Sequence, residues 1–358
     1  MDEDPDSHHH ADLAVPEVDA NGAHYTDEAK ALAVSRQGVL PALVHEHWGA
    51  WTEDDLTGLQ LRGAGYLQDK IKVDCGPPLF RLAHIDIFHT LATEPKVQPI
   101  APRDDAWVKV MSAKRRAKAA TTAHPPPPYP MSRNDDPLCH GWSDHPLNPT
   151  FVINIVFPVG KIHMYLVQYY ERRIPPADVL RQRKQAKADL ASKSSTASAT
   201  STSPATDCLD DIDIDRVEAF DRLLQQFIDG DDEFRDSTLK IIPRVSEGSW
   251  VVKKGVGRVP AILGKKVKQT YHITRNDDGS SVVEVDADLA TSRIAGQIVG
   301  LIKSYCKTIV VDMSFLLQGD SEETLPESLI GGIRIHKADM DRVQHYDEES
   351  KQVKYPLV

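Results

Sequence analysis

From Leu239 to Leu317 the apolar residues pass from alternation to helical spacing and back. This stretch must therefore fold as several strands, one helix and a further strand. Val267–Ile273 and Val282–Leu289 are rich in β-branched and aromatic residues and largely alternate. Between them, Arg275-Asn276-Asp277-Asp278-Gly279-Ser280 supplies residues that accept the positive φ angles of a tight turn, which predicts a hairpin. In its second strand Val283, Val285, Ala287 and Leu289 share one face, and Glu284, Asp286 and Asp288 share the other. Three carboxylates in a row suit a hard-cation site or an acid/base cluster. They suit equally a solvated sheet face paired with lysines of the neighbouring strand, which is the expectation adopted. A three-residue loop sets Lys268 opposite Asp286 and Lys266 opposite Asp288, whereas a four-residue loop sends the lysines to the other face.

Thr291-Ser292-Arg293 carries hydroxyls able to cap a helix start. Ile294, Ile298, Leu301, Ile302 and Tyr305 then form one apolar stripe, expected to pack on a sheet with Gly296 and Gly300 permitting close approach. The apolar run is too short to cross a membrane and is bounded by Arg293 and Lys303. Ile309–Val311 and Met313–Leu317 read as a strand covered on both faces. Asp312 interrupts it and must be paired, hydrogen-bonded or at an edge, since burying a lone carboxylate is costly.

At 358 residues, with 41% hydrophobic and 27% charged residues, the chain can build a sizeable core. Its net charge of −11 argues against a general nucleic-acid binder, although basic segments survive locally. Cys75, Cys139, Cys208 and Cys306 are far apart and form no CxxC pair. With no secretory or transmembrane segment, they point to reduced thiols in a cytoplasmic setting, and no cofactor or metal is expected.

Taken in order, residues 1–38 read as a disordered acidic leader, and Trp48 and Trp51 as anchors for the entry of the chain. Gly63-Ala64-Gly65 lacks the spacing of a phosphate cradle and is expected to break a strand with a turn. Leu79–Phe88 alternates like a strand. A low-complexity insertion at about 103–145 holds the basic cluster Lys114–Lys118, the polyproline stretch His124–Pro130, and Cys139-His140 with His145. Phe151–Phe157 and Met164–Tyr170 predict a second hairpin, and Ala177–Lys193 a basic helix-forming segment. A second insertion at about 181–215 contains the Ser/Thr-rich run 192–206. Phe220, Leu223, Leu224, Phe227 and Ile228 repeat at helical spacing before Gly230, and Ile330–Ile335 reads as a last strand before a loose polar tail, 338–358. The whole predicts a single α+β domain over 39–337, with a large, mostly antiparallel curved sheet packed on two or three helices.

Several motifs together carry a resemblance. DLTGLQLRGAGYLQDKIK, NPTFVINIVFP, FDRLLQQFIDGDDEFRDSTLKIIPRVSEGSWVVKKGVG, VPAILGKKV, VEVDADLATSRIA and VVDMSFLLQ follow one another between Trp48 and Ile335. In that order they resemble the C-terminal domain family of the plant protein Enhanced Disease Resistance 2, long classed as a domain of unknown function. The resemblance implies that plant relatives carry this domain after a pleckstrin-homology and a START module. About forty polar residues precede it here, fewer than either module needs, so the lipid functions of those modules are not carried over. The family supplies no catalytic residues to transfer.

Three functions are weighed. The first is non-catalytic lipid or membrane association in a regulatory role. It rests on Lys253, Lys254, Arg258, Lys265, Lys266 and Lys268, six cations within sixteen residues, interleaved with Val256, Val259, Ile262 and Leu263. An ordinary solvated hairpin explains the same residues. The second is an enzyme with an acidic site around Asp286, Asp288 and Asp312, served by His272. The third is a scaffold that recruits a protein partner through the proline-rich segment.

Overall fold

The computed structural model describes residues 50–54, 56, 58–102, 145–194, 212–275, 281–340, 343–347 and 352–354. The acidic leader, Trp48, the basic and proline-rich residues of the first insertion, and the Ser/Thr-rich run beyond Ser194 lie outside the described residues.

The strands, in chain order, are β1 (Ala50–Glu53), β2 (Gln60–Arg62), β3 (Lys72–Asp74), β4 (Phe80–Leu91), β5 (Thr150–Val159), β6 (Ile162–Arg172) and β7 (Leu239–Glu247). There follow β8 (Ala261–Ile262), β9 (Lys268–Arg275), β10 (Ser281–Asp288), β11 (Val310–Leu317), β12 (Leu329–His336), β13 (Gln344–Asp347) and β14 (Gln352–Lys354). The helices are α1 (Tyr66–Asp69), α2 (Ala177–Ser194), α3 (Ile214–Asp229), α4 (Asp232–Thr238), α5 (Trp250–Val256) and α6 (Arg293–Tyr305).

The class is α+β and mostly antiparallel, but the strands divide between two main sheets instead of continuing as one. The five-stranded sheet runs β1-β12-β11-β7-β8, and the seven-stranded sheet β14-β13-β4-β6-β5-β10-β9. Only the β5–β10 and β4–β13 pairings in them are parallel. Both sheets contribute to one core. On α3 the predicted stripe is buried, with Phe220 tilted against Phe80 at 6.1 Å and Phe227 against Phe151 at 5.9 Å between ring centroids. Asp213 caps this helix by accepting from the backbone N–H groups of Asp215 and Arg216. The two sheets approach closely at Gly331, where the Tyr170 ring lies only 2.7 Å from the place a Cβ would take.

Both predicted hairpins form. Val159 pairs with Ile162 across a turn in which Gly160 adopts a φ of +62°, and Arg275 pairs with Ser281. The second register puts Lys268 opposite Asp288, two residues beyond the three-residue alternative and therefore on the same face.

Three expectations need correction. The glycine turn at 63–65 leads into the single helical turn α1, not back into strand. The tail beyond 338 is not loose throughout: β13 pairs with β4, and Tyr346 is buried beside Phe88, ring centroids 5.4 Å apart. The stripe of α6 meets a sheet only in part. This helix lies beside β5 and α5, so the line Ala295, Val299, Ile302 turns inward, while Ile294 stays 67% exposed and Tyr305 is also exposed. A Cβ on Gly296 or Gly300 would meet open space.

Candidate functional site

The acidic face of β10 is buried, contrary to the solvated face expected. β5 flanks the strand in parallel on one side and β9 on the other, and the segment that leaves β4 folds over the face. Glu284, at 0% exposure, accepts from the backbone N–H groups of Ile100 (2.5 Å) and Ala101 (2.8 Å). Asp288 pairs with Lys96, and the Tyr165 hydroxyl accepts from Val97 N at 3.1 Å. Residues 96–101 thus form a strap fixed at both ends. Beneath it Asp286 accepts from Asn154 Nδ2 at 2.7 Å. His272 Nε2 stands 3.3 Å from the other Asp286 oxygen, close enough for an ion pair but outside hydrogen-bond geometry.

Burial, reinforced by Asp286, pushes the Glu284 carboxyl up to about 7 despite its two backbone donors. Contact with Asp286 raises the His272 imidazole. A carboxyl held high in the folded state binds more protons there than in the unfolded chain. Its contribution is therefore complete below the unfolded value near 4.5 and is lost as pH rises through about 7. His272 acts in the same sense, losing its contribution as pH rises through its raised value. Measured against Glu284→Gln, the unfolding midpoint of the wild type is expected to fall between about pH 5 and about pH 8. A pH-independent difference between the two would remove this account.

Asp312 lies elsewhere, in the five-stranded sheet. It sits opposite Arg244 of β7 and Arg334 of β12, and bonds to both: Arg244 Nε at 2.7 Å, Arg334 Nε at 2.7 Å and Arg334 Nη2 at 3.1 Å. Asp54, just past β1, joins through Arg244 Nη2 (2.9 Å) and Ser314 Oγ (2.9 Å). Burial and the neighbouring Asp312 raise the Asp54 carboxyl. The three acids proposed for an enzymatic site therefore do not converge: Asp288 holds the strap through Lys96, Asp286 is bonded to Asn154 beneath it, and Asp312 pins three strands of the other sheet. Among the described residues no group of three His, Cys, Asp or Glu could hold a metal ion.

The six cations are all exposed, but they occupy three settings. Lys253 and Lys254 lie on α5, with Arg258 just beyond it. Lys265 and Lys266 follow Gly264, which is pressed against Asp236 of the acid-rich helix α4. Lys268 starts β9 opposite Asp288. The first group has a setting that local spacing did not reveal. Gly248 lies against Ile309, just beyond α6, and Gly255 lies against Leu301 within it, so α5 and α6 run antiparallel as a pair. Trp250 (70% exposed), Val251, Ile294 and Tyr305 project from this pair, and Val259 (76% exposed) follows it. The Lys254 ammonium stands over the Trp250 ring at 4.9 Å. A signal for this surface was present in the sequence: 248–275 contains seven Lys/Arg and 289–311 three, with no Asp or Glu in either, in a chain of net charge −11.

Two cavities open on the five-stranded sheet. One, of about 340 Å³, lies beside the Asp54 network and is lined by Glu53, Asp54, Cys75 and Arg173. The other, of about 160 Å³, lies where β2 and β3 meet β7 and β8, and is lined by Arg62, Lys72, Lys240 and Glu327 together with Pro260. No helix among the described residues is long and apolar enough to cross a membrane.

These features define a two-sheet α+β domain that carries a basic, partly apolar helix pair on its surface. Residues 51–339 match the family described as "Protein ENHANCED DISEASE RESISTANCE 2, C-terminal", and the chain belongs to that family. A relative from Arabidopsis thaliana, "Protein ENHANCED DISEASE RESISTANCE 2-like", is 42% identical over 118 residues, which are 33% of this chain and 16% of the relative. The chain thus matches about one sixth of that relative's length. No solved structure matches the chain.

Proposed function

We propose that this domain associates peripherally with anionic membranes through the α5–α6 surface, in a regulatory and non-catalytic role. The carrying observation is that Trp250, Val251, Val259, Ile294 and Tyr305 are exposed on and beside two helices that also expose Lys253, Lys254, Arg293 and Lys303, with Arg258 just beyond the first. Exposed apolar side chains rimmed by charge mark an interaction surface. The absence of acids from both helices suits an anionic bilayer, where each cation near the surface adds about 1 kcal/mol. Tryptophan and tyrosine are the side chains that settle at the headgroup level.

Cosedimentation of the chain with phosphatidylcholine vesicles carrying phosphatidylserine tests this reading. Lys253→Glu with Lys254→Glu is expected to weaken binding about a hundredfold at low salt. Lys265→Glu with Lys266→Glu should act in the same direction but less, because α4 already supplies acids there. Wild-type affinity in the first double variant would sink the proposal.

A further inference from the structure

The smaller cavity has a charge imbalance that the membrane-facing surface does not explain. Arg62 and Lys72 are cross-strand partners in the β2–β3 pair, like charges set directly opposite each other, an arrangement that weakens a sheet. Lys240 points into the same cavity from β7 and is buried. One buried carboxylate answers all three. Glu327 accepts from the Lys240 ammonium at 2.5 Å and lies 3.6 Å from Arg62 Nε, and its other oxygen accepts from Arg62 N at 3.1 Å. Lys72 forms no ion pair among the described residues and remains exposed at the rim. Arg62 is held in place by the Gly319 carbonyl at 2.8 Å and by the Tyr66 ring, 4.9 Å from the guanidinium carbon.

Three cations against one carboxylate leave two positive charges in a cavity of about 160 Å³. We propose that this cavity binds a phosphate monoester through Arg62, Lys72 and Lys240. Such a group carries about −1.5 to −2 charges at neutral pH, which matches the excess. Arginine offers a fork for its oxygens and lysine a mobile point charge. The volume admits the phosphate and little of what carries it, being below the roughly 300–1,000 Å³ of pockets that engulf whole ligands. The carrier therefore stays outside. Pro260 lines the cavity two residues from Arg258, so the opening borders the proposed membrane surface, and a lipid headgroup is the source this inference takes from that reading. A free phosphate presents the same chemistry.

Two measurements on the full chain separate the cases. In the first, inorganic phosphate is added during thermal unfolding at ionic strength matched with chloride. It is expected to raise the midpoint of the wild type but not of Lys72→Gln, a rim substitution that leaves the Lys240–Glu327 pair intact. In the second, phosphatidylcholine vesicles carry either phosphatidic acid, which exposes a phosphate monoester, or phosphatidylserine at equal surface charge. Phosphatidic acid is expected to bind about tenfold more tightly, the effect of one charge-assisted hydrogen bond, with the preference abolished in Lys72→Gln. Stabilisation by phosphate without a vesicle preference supports the site and assigns it a soluble ligand. Stabilisation by phosphate with no binding to either vesicle overturns the membrane reading alone. Equal effects of phosphate on wild type and Lys72→Gln, with no lipid preference, overturn the site.

Discussion

Asp312→Ala is expected to lower the stability of the fold by about 3–5 kcal/mol, the cost of breaking a buried ion pair by removing one partner. Asp312 is 1% exposed and faces arginines on both neighbouring strands, Arg244 of β7 and Arg334 of β12. Without it, two guanidinium groups remain against the single carboxylate of Asp54, and the hydrogen bonds across three strands are lost together. For a domain of this size the midpoint should fall on the order of 10 °C. A second readout is independent of stability. Asp312 is one of the groups that raise the Asp54 carboxyl, so the variant should titrate Asp54 at lower pH while Arg244 remains beside it. A loss below about 1 kcal/mol would mean that the network behaves as a solvated surface pair.

Asp221→Ala is expected to cost a similar amount, for a different reason. Arg172 closes β6 with a fully buried side chain, and its guanidinium pairs with Asp221 of α3. The second Asp221 oxygen accepts from Ala177 N at 2.8 Å, fixing the first residue of α2. The remaining Arg172 donors go to the Ile174 carbonyl (2.7 Å) and the Leu147 carbonyl (2.5 Å). Removing Asp221 leaves a buried cation with carbonyls alone and frees the start of α2 from α3. About 3–5 kcal/mol of lost stability in denaturant unfolding is the expected result. Asp221→Asn, which retains an acceptor for Ala177, should recover part of it.

How much of this was legible beforehand follows from the distance over which each feature is decided. The β5–β6 hairpin and the buried stripe of α3 were readable because periodicity and turn chemistry are local. The need of Asp312 for a partner was also readable from its apolar neighbours, although its two arginines were not, since they depend on strand register. Division into two sheets was not readable, because the parallel pairing of β5 with β10 joins residues more than a hundred positions apart. The same is true of the acidic face of β10. Alternation marks Glu284 and Asp286 as sharing a face, but only the strap from Lys96 to Ala101 makes that face an interior. The stripe of α6 was legible only in part, for another reason. An amphipathic pattern looks the same whether its apolar side meets the protein's own sheet or is offered to something outside, and here Ile294 and Tyr305 are offered outward.

The strap also bears on how this domain can change over time. Chain departing toward residues 103–144 is clamped at Ile100 and Ala101 by Glu284, and chain returning is held at Leu147 by Arg172. It then enters β5, whose first residue Thr150 pairs with Val282 of the strand that carries Glu284. Whatever runs between these two clamps begins on β10 and ends on β6 and β5, three neighbouring strands of one sheet. Closing a longer loop costs only about 0.6 kcal/mol per doubling of its length. Evolution can therefore lengthen, shorten or re-sequence this excursion, adding or deleting recognition motifs, while the scaffold beneath it stays in register.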